Sequence, residues 1–477
     1  MTMTAELIQL RGELSTSLTQ SNEITDNRLL RPNHPRIAGE RFHIAPNALA
    51  RRTIATGSGE EEIADSKGHA GFGDVLAIPA FRRLWLAQVG SQLGEGIALV
   101  AMPLLVYGLT GSAELLSLIF VLQLLPRVVL APMAGMLADS LDRRRIILAA
   151  DLARAGLVAL LPFTDSAWQI AVLAMLVATG SALARPAELA AVPMVVAPGQ
   201  LVPALSISQL AASIVRIVGP ALAAGVIAVT GPRLAFGLQS LCFLASAGCI
   251  FGLVLPRVER KDTITRIAAV RREIAEGLRV VRDNPIVRGI TAVEMLWQLV
   301  TAALVISILL FVEETLRLGD DAATVFSLLT ATFAAGTALG ALVARMVEKR
   351  LGRMRLMAIG YLAPLMLVPA GLTPPLPVLF ACLFILGFTD SWAVIAMQTY
   401  LAEAVPDAMR GRVYATWLGA VTLAGAAGFG VVGWLTPRLG PPMSLALVGS
   451  LVGFGGPLLL LATGAMAAIR HDGAADA

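Results

Sequence analysis

Apolar residues run in long blocks from Phe81 onward, and polar residues gather in the short gaps between them. A block of about 20 residues crosses a bilayer core of about 30 Å as a helix. Only helices and closed barrels span lipid, and runs this continuous are helical. The pattern predicts spans at 83–106, 115–137, 146–164, 167–187, 205–229 and 233–255. After a charged interval it predicts six more, at 287–312, 323–344, 356–372, 377–400, 412–435 and 443–466. Gly111–Ser112, Thr164–Asp165, Gly231–Pro232 and Thr373–Pro377 read as tight turns. Residues 1–80 sustain no apolar period and show no signal-peptide pattern, so they are expected to form a disordered tail. The expected organisation is a six-helix bundle over 81–255, a linker over 256–286, a second six-helix bundle over 287–468 and a short tail over 469–477. In the linker, Ile274, Leu278 and Val281 recur at helical spacing among Arg and Glu, the pattern of an amphipathic helix on a charged membrane surface.

Composition agrees. Apolar residues make up 56% of the chain and charged residues 15%, where a soluble domain carries about a quarter. The net charge of +4 does not point to nucleic acid, because the basic residues sit at span ends. Lys and Arg crowd the loops on the Arg143 side, against Arg233, Arg317 and Arg438 on the other. That bias places the Arg143 side and both termini in the cytoplasm. Cys242, Cys249 and Cys382 all fall inside apolar runs and give no disulfide framework. His34, His43, His69 and His471 lie in the tails, so no membrane histidine relay or metal site is expected. Neither GxxxxGK[ST] nor HExxH occurs, which argues against an ATP-driven pump and a zinc protease.

The stretch Gly135–Arg145, GMLADSLDRRR, ends the second block with a basic cluster. It resembles the loop signature between the second and third helices of the major facilitator superfamily. Gly135, Leu137, Asp139, Arg143, Arg144 and Arg145 match; Asp142 replaces the usual second glycine. Gly340–Arg350, GALVARMVEKR, repeats the pattern weakly, with Ala344 in the place of Asp139. Such a repeat between halves is what transporters built from paired bundles show, with the site near the midplane. FRRLWLAQVGSQLGEGI at 81–97, RIVGPALAAG at 216–225 and AVPDAMRGRVYATW at 404–417 are similar to the drug and siderophore exporter branch. That branch includes macrolide efflux proteins and the enterobactin exporter. Gly219, Pro220 and Gly225 also partly match the fifth-helix motif of antiporters.

The resemblance implies an all-α fold of twelve transmembrane helices, in two six-helix bundles related by a pseudo-two-fold axis. It implies secondary active export of an amphiphilic small molecule, without a cofactor, by a monomer in the bacterial cytoplasmic membrane, with protons as the coupling ion. It gives Asp139, facing the region Arg410–Gly411–Arg412, the role of a gate. Uptake or lysophospholipid flipping on the same fold is the alternative. A membrane-embedded enzyme or sensor would need a catalytic constellation or a signalling domain, and the sequence shows neither.

A charge at a helix centre costs about 2.5–3.5 kcal/mol on insertion scales, so polar residues inside spans mark candidate chemistry. Gln88, Gln92 and Glu95 share a face of the first span, and Gln123 and Arg127 a face of the second. Arg216 ends a polar stripe on the fifth span, Glu294 and Gln298 lie on the seventh, and Asp390 on the tenth. Glu95, Glu294 and Asp390 are the candidate proton-coupling groups. Gln88, Gln92, Gln123, Arg127, Arg216 and Gln298 are the candidate cargo contacts. None of the three acids has an opposite charge at i±3 or i±4, which leaves Arg127 and Arg216 as candidate partners or as hosts for an anionic cargo. Asp151 and Arg154, three apart, are expected to pair with each other or with the motif loop.

Overall fold

A computed structural model describes residues 72–255, 264–372 and 375–466. The backbone of 131–140 is helical, but its side chains, Asp139 included, lie outside the described residues, as do residues 1–71 and 467–477 of the predicted tails; residues 72–80, expected to belong to the disordered tail, instead form a short helix and the start of the first span. The expectations for Gly135 and Asp139 therefore lie outside the description.

A short α1 (Phe72–Ala77) precedes the first six spans: α2 (Pro79–Thr110), α3 (Ala113–Ser140), α4 (Arg143–Leu160), α5 (Ala167–Val195), α6 (Leu201–Thr230) and α7 (Pro232–Phe251). The linker helix α8 (Ile264–Asp283) leads into α9 (Pro285–Leu310) and α10 (Ala322–Leu351). The ninth span is α11 (Arg353–Leu362), a 3-10 turn at Ala363–Met366 and a last turn α12 (Leu367–Ala370). The chain ends with α13 (Leu376–Ala404), α14 (Asp407–Leu439) and α15 (Pro441–Ala462). Among the described residues, eleven helices are long and apolar enough to cross a membrane. The ninth span misses that length because Pro364 and Pro369 lack the amide hydrogen that would continue an α-helix.

Helix ends fall where the turn residues direct. Gly111 takes φ 57°, which closes α2, and Pro232 and Pro441 open α7 and α15 after Gly231 and Gly440. Asn284 Oδ1 accepts from Ile286 N at 2.9 Å and Val287 N at 3.2 Å, capping α9. Asp142 caps α4 in the same way, accepting from Arg144 N at 3.0 Å, and lies 3.5 Å from Arg145. The departure from the usual glycine thus supplies a helix cap.

The two halves pack alike. α2 lies against α6 and α7, α3 against α5, α4 against α5 and α7; correspondingly, α9 lies against α14 and α15, α10 against α13, α11 against α13 and α15. The two most extensive contacts between halves are α3 with α14 and α6 with α10, and a two-fold exchange of halves converts one into the other. The loop repeat has a shifted register. Lys349 and Arg350 end α10, whereas Arg143 begins α4, so the residue equivalent in place to Arg143 is Arg353, first in α11. Arg143 reaches the Ala190 carbonyl on α5 at 2.9 Å; Arg353 reaches Glu403 at the end of α13 at 2.7 Å. Gly340 keeps the role of a contact glycine, since a Cβ there would collide with the Phe388 carbonyl.

α8 docks on α14 and α9. Gly277 is buried against Thr416 and Arg412, and Val280 and Val281 join the core of the second half. Leu278 stays 59% exposed, and Ile274 lies outside the described side chains. The predicted apolar face is therefore divided: Val281 turns to the protein and Leu278 away from it.

Candidate functional site between the two halves

One apolar core joins both halves at the Gly111 end of the helices, running from Ile97 to Val106, through Leu116 and Ile119, to Val300–Val312, Phe326 and Phe429. At the Arg143 end there are two separate cores. One, from Val75 to Leu253, belongs to the first half, and the other, from Ile286 to Ala465, to the second. The halves are therefore closed at the Gly111 end and part toward the Arg143 end, leaving a cleft between them.

The closed end is fastened by specific contacts. Ser117 Oγ donates to the Phe429 carbonyl at 2.6 Å, and Phe120 stacks on Phe429 with centroids 4.7 Å apart. Tyr107 Oη donates to Glu314 Oε1 at 2.6 Å, where α9 runs out into a π turn, Phe311–Thr315. Glu114 and Arg438 approach to 4.0 Å.

Two charged clusters flank the cleft. In the first half, Arg154 is 1% exposed and ion-pairs with Asp151. Its guanidinium also lies 3.5 Å from Glu95 Oε1, donates to Ser181 Oγ at 3.1 Å and sits 4.4 Å from the Phe243 ring. Ser246 Oγ donates to Asp151 Oδ2 at 2.5 Å. Glu95 thus has Arg154 as its partner, rather than Arg127 or Arg216; a tertiary contact from α2 to α4 supplied what helix spacing did not. Gln88 is buried inside this half and donates to the Glu188 carbonyl at 3.5 Å, so it does not face the cleft. Gln92 is half-buried on the same helix.

Glu188 is a charged residue that the sequence reading missed. It is 3% exposed on α5, with Oε2 3.5 Å from Arg185. Arg154, Asp151 and Glu95 are within electrostatic reach of it. The signal was present: Arg185 and Glu188 stand three apart inside an apolar run, the spacing of a helical ion pair.

In the second half, Tyr361 Oη donates to Glu294 Oε1 at 3.3 Å. Asp390 is within electrostatic reach of Glu294 and of Arg216, which belongs to the first half. Of the two predicted arginine partners, Arg216 is therefore the one within electrostatic reach of an acid of the other half, without an ion pair to it among the described residues. Tyr361 is a second residue the sequence reading did not select. Gln298 lies at the floor of the cleft, where its Oε1 is 3.6 Å from the position a Cβ on Gly425 would occupy.

In the fifth-helix motif, Gly219 allows the closest approach of α6 to α2: a Cβ there would stand 2.9 Å from the Gly96 Cα. α6 continues unbroken through Pro220, and nothing lies within 4 Å of a Cβ on Gly225.

A family model described as transmembrane secretion effector matches residues 73–470. The chain belongs to this family of major facilitator transporters. The family's fold accounts for the paired halves, and the match covers every predicted span. Macrolide efflux protein A of Streptococcus pyogenes is 24% identical over 78% of this chain and 93% of its own length. The enterobactin exporter EntS of Salmonella typhimurium is 27% identical over 82% of this chain and 94% of its own. The uncharacterized transporter YfiS of Bacillus subtilis is 27% identical over 51% of this chain, a match that spans 55% of that protein. Among solved structures, a bacterial homologue of the lysosomal transporter Spinster, inward-facing and unoccupied, superposes with a TM-score of 0.64 at 14% identity. It covers 81% of this chain and 96% of that one. A D-xylose–proton symporter gives 0.61 at 17% identity, covering 80% and 96%. The chain is a multi-pass membrane transporter of small molecules, and the macrolide and enterobactin relatives named above are efflux proteins.

Proposed function

We propose that this transporter exports an amphiphilic small molecule in exchange for protons. The observation that carries the coupling is the pair of acids in the second half, Asp390 and the Tyr361-bonded Glu294, with Arg216 of the first half within electrostatic reach of Asp390. Alternating access separates the halves at one end and joins them at the other, so a contact between halves in the cleft is made and broken in each cycle. When Arg216 withdraws, Asp390 needs another compensating charge in a low-dielectric site, and a proton supplies it. Glu95 differs: its guanidinium partner, Arg154, belongs to the same half and moves with it. This reading gives Asp390 and Glu294 the coupling role and Glu95 a role in the cargo site, with the bundle over 81–255 moving against the bundle over 287–468. The Arg-rich loops support an orientation with the Arg143 end, and with it the open mouth, toward the cytoplasm of a bacterial cell, and in this reading the protein acts as a monomer. A mouth open to the cytoplasm suits loading for export, and the relatives named for macrolide and enterobactin efflux support that direction over uptake.

The test is transport into inverted membrane vesicles energised by a pH gradient, with a labelled macrolide and enterobactin as probes. Accumulation that collapses with the gradient is expected. Asp390→Asn is expected to retain probe binding and lose probe-driven proton movement. Unchanged proton exchange in both Asp390→Asn and Glu294→Gln would remove these residues from the coupling step.

A further inference from the structure

The arginines of the first half differ in what compensates them. Arg154 is taken by Asp151 and Glu95, Arg185 by Glu188, and Arg216 faces Asp390. Arg127 is exposed and has no carboxylate partner among the described residues. Its place on α3 is fixed by the contacts below it. Ser117 and Phe120 touch Phe429, and Leu124 lies 3.4 Å from the position of a Cβ on Gly425, all on α14. Positions 117, 120 and 124 climb one helical face, and 127 continues it by a turn toward the open end. Arg127 therefore stands just above the floor of the cleft, on the wall that faces α14.

The surroundings are rich in donors. Gln123 Nε2, one turn before Arg127, is buried and has no acceptor among the described residues. Gln298 of α9 reaches the same floor, because Gly425 and Gly428 let α14 approach it: a Cβ on Gly428 would stand 2.9 Å from the Gln298 carbonyl. A guanidinium and amide groups on facing helices, with no acid paired to them among the described residues, suit an acceptor-rich group. We infer that Arg127 and Gln123, with Gln298 opposite, form an anion subsite at the cleft floor, which holds the carboxylate, sulfonate or phenolate of an anionic amphiphile. The inference rests on the transporter reading and names the charge class of its cargo. The apolar body of such a molecule has Phe120, Leu124 and Phe429 beneath it.

Three probes share one fluorescent body and differ in charge: dansylglycine, its neutral amide, and dansylcadaverine, a cation. Binding is measured by fluorescence with the full-length protein in lipid nanodiscs. The wild type is expected to bind dansylglycine about tenfold more tightly than the amide, the scale of one charge-assisted hydrogen bond. Arg127→Gln should erase that difference, weakening dansylglycine about tenfold and the amide much less. Arg127→Lys should keep part of it, because the charge remains without the planar fork. Arg127→Glu should reverse the preference toward dansylcadaverine. Gln123→Leu, which leaves the charge in place, should weaken dansylglycine alone. Equal binding of acid and amide by the wild type, no binding of dansylglycine, or an equal loss of both probes in Arg127→Gln would overturn the subsite. Transport is read separately, by uptake of dansylglycine into inverted vesicles. Selective binding without uptake keeps the subsite and counts against the export reading.

Discussion

Arg154 holds the densest set of contacts to a buried charge in the described residues, and it sets the stability of the first half. Removing one member of a buried pair leaves the other uncompensated, at about 3–5 kcal/mol. Arg154→Met is therefore expected to lower the melting temperature of the purified protein sharply, because Asp151 is fully buried. The double variant Asp151→Asn, Arg154→Met should recover much of that loss, since no lone charge remains. Glu95→Gln should change stability little, because Glu95 is 43% exposed and Arg154 keeps Asp151. A double variant no more stable than Arg154→Met would show that the cluster does not act as a charge pair. At this scale the sequence revealed the local partner and hid the distant one. Asp151 and Arg154 are three apart on one helix, whereas Glu95 meets Arg154 through the packing of different helices.

Among the elements, α8 is tied to the second half by a short list of contacts. Arg412 Nη1 lies 2.7 Å from Glu276 Oε2, Arg272 donates to the other carboxylate oxygen at 2.8 Å, and Gly277 fits against α14. The hydrogen bond from Arg272, with the nearby charges of Arg412 and Arg279, holds the Glu276 carboxyl below the ordinary carboxylate range. A lowered folded-state pKa gives a contribution that is present above the unfolded value, about 4.3, and is lost as pH falls through the folded value. Docking of α8 should therefore loosen in acid, read as faster proteolysis of the linker below about pH 4. Gly277→Val should produce the same exposure at neutral pH, because its side chain would meet Thr416 and the Arg412 carbonyl. Protection equal to wild type in Gly277→Val would mean that α8 is held elsewhere. The amphipathic period of this helix was legible in its residues. Its partner was not, because the contact turns on a glycine, which carries no hydropathy signal.

For the whole molecule, the conformational balance depends on contacts at the closed end. Tyr107→Phe removes a hydrogen bond between halves to a carboxylate. Such a bond, partly exposed, contributes on the order of 1 kcal/mol, enough for about a fivefold change in population. Spin labels at Ser112 and Arg438, on either side of the closed end, should report a larger fraction of long distances in Tyr107→Phe than in the parent protein. An unchanged distance distribution would assign the closure to the apolar core alone, where Phe120 and Phe429 stack.

The sequence by itself determined that the chain crosses a membrane many times, where several of the turns between helices fall, and that the halves repeat; it did not give the full lengths, since the span expected at 167–187 runs on to Val195. The reasons are local. A run of apolar residues is helical in lipid whatever its neighbours, and Gly111, Asn284 and Pro441 act on their own turns. The tertiary structure decided which charges meet. Glu95 and Arg154 lie on different helices, as do Arg216 and Asp390, and no period along the chain records that such charges come within reach of one another. It also decided that Gln88 turns into the first half, while Arg127, on a face equally legible in the sequence, is left beside the cleft with no acid paired to it among the described residues. Helical periodicity fixes which residues share a face; only the packing of one helix on another fixes what that face sees.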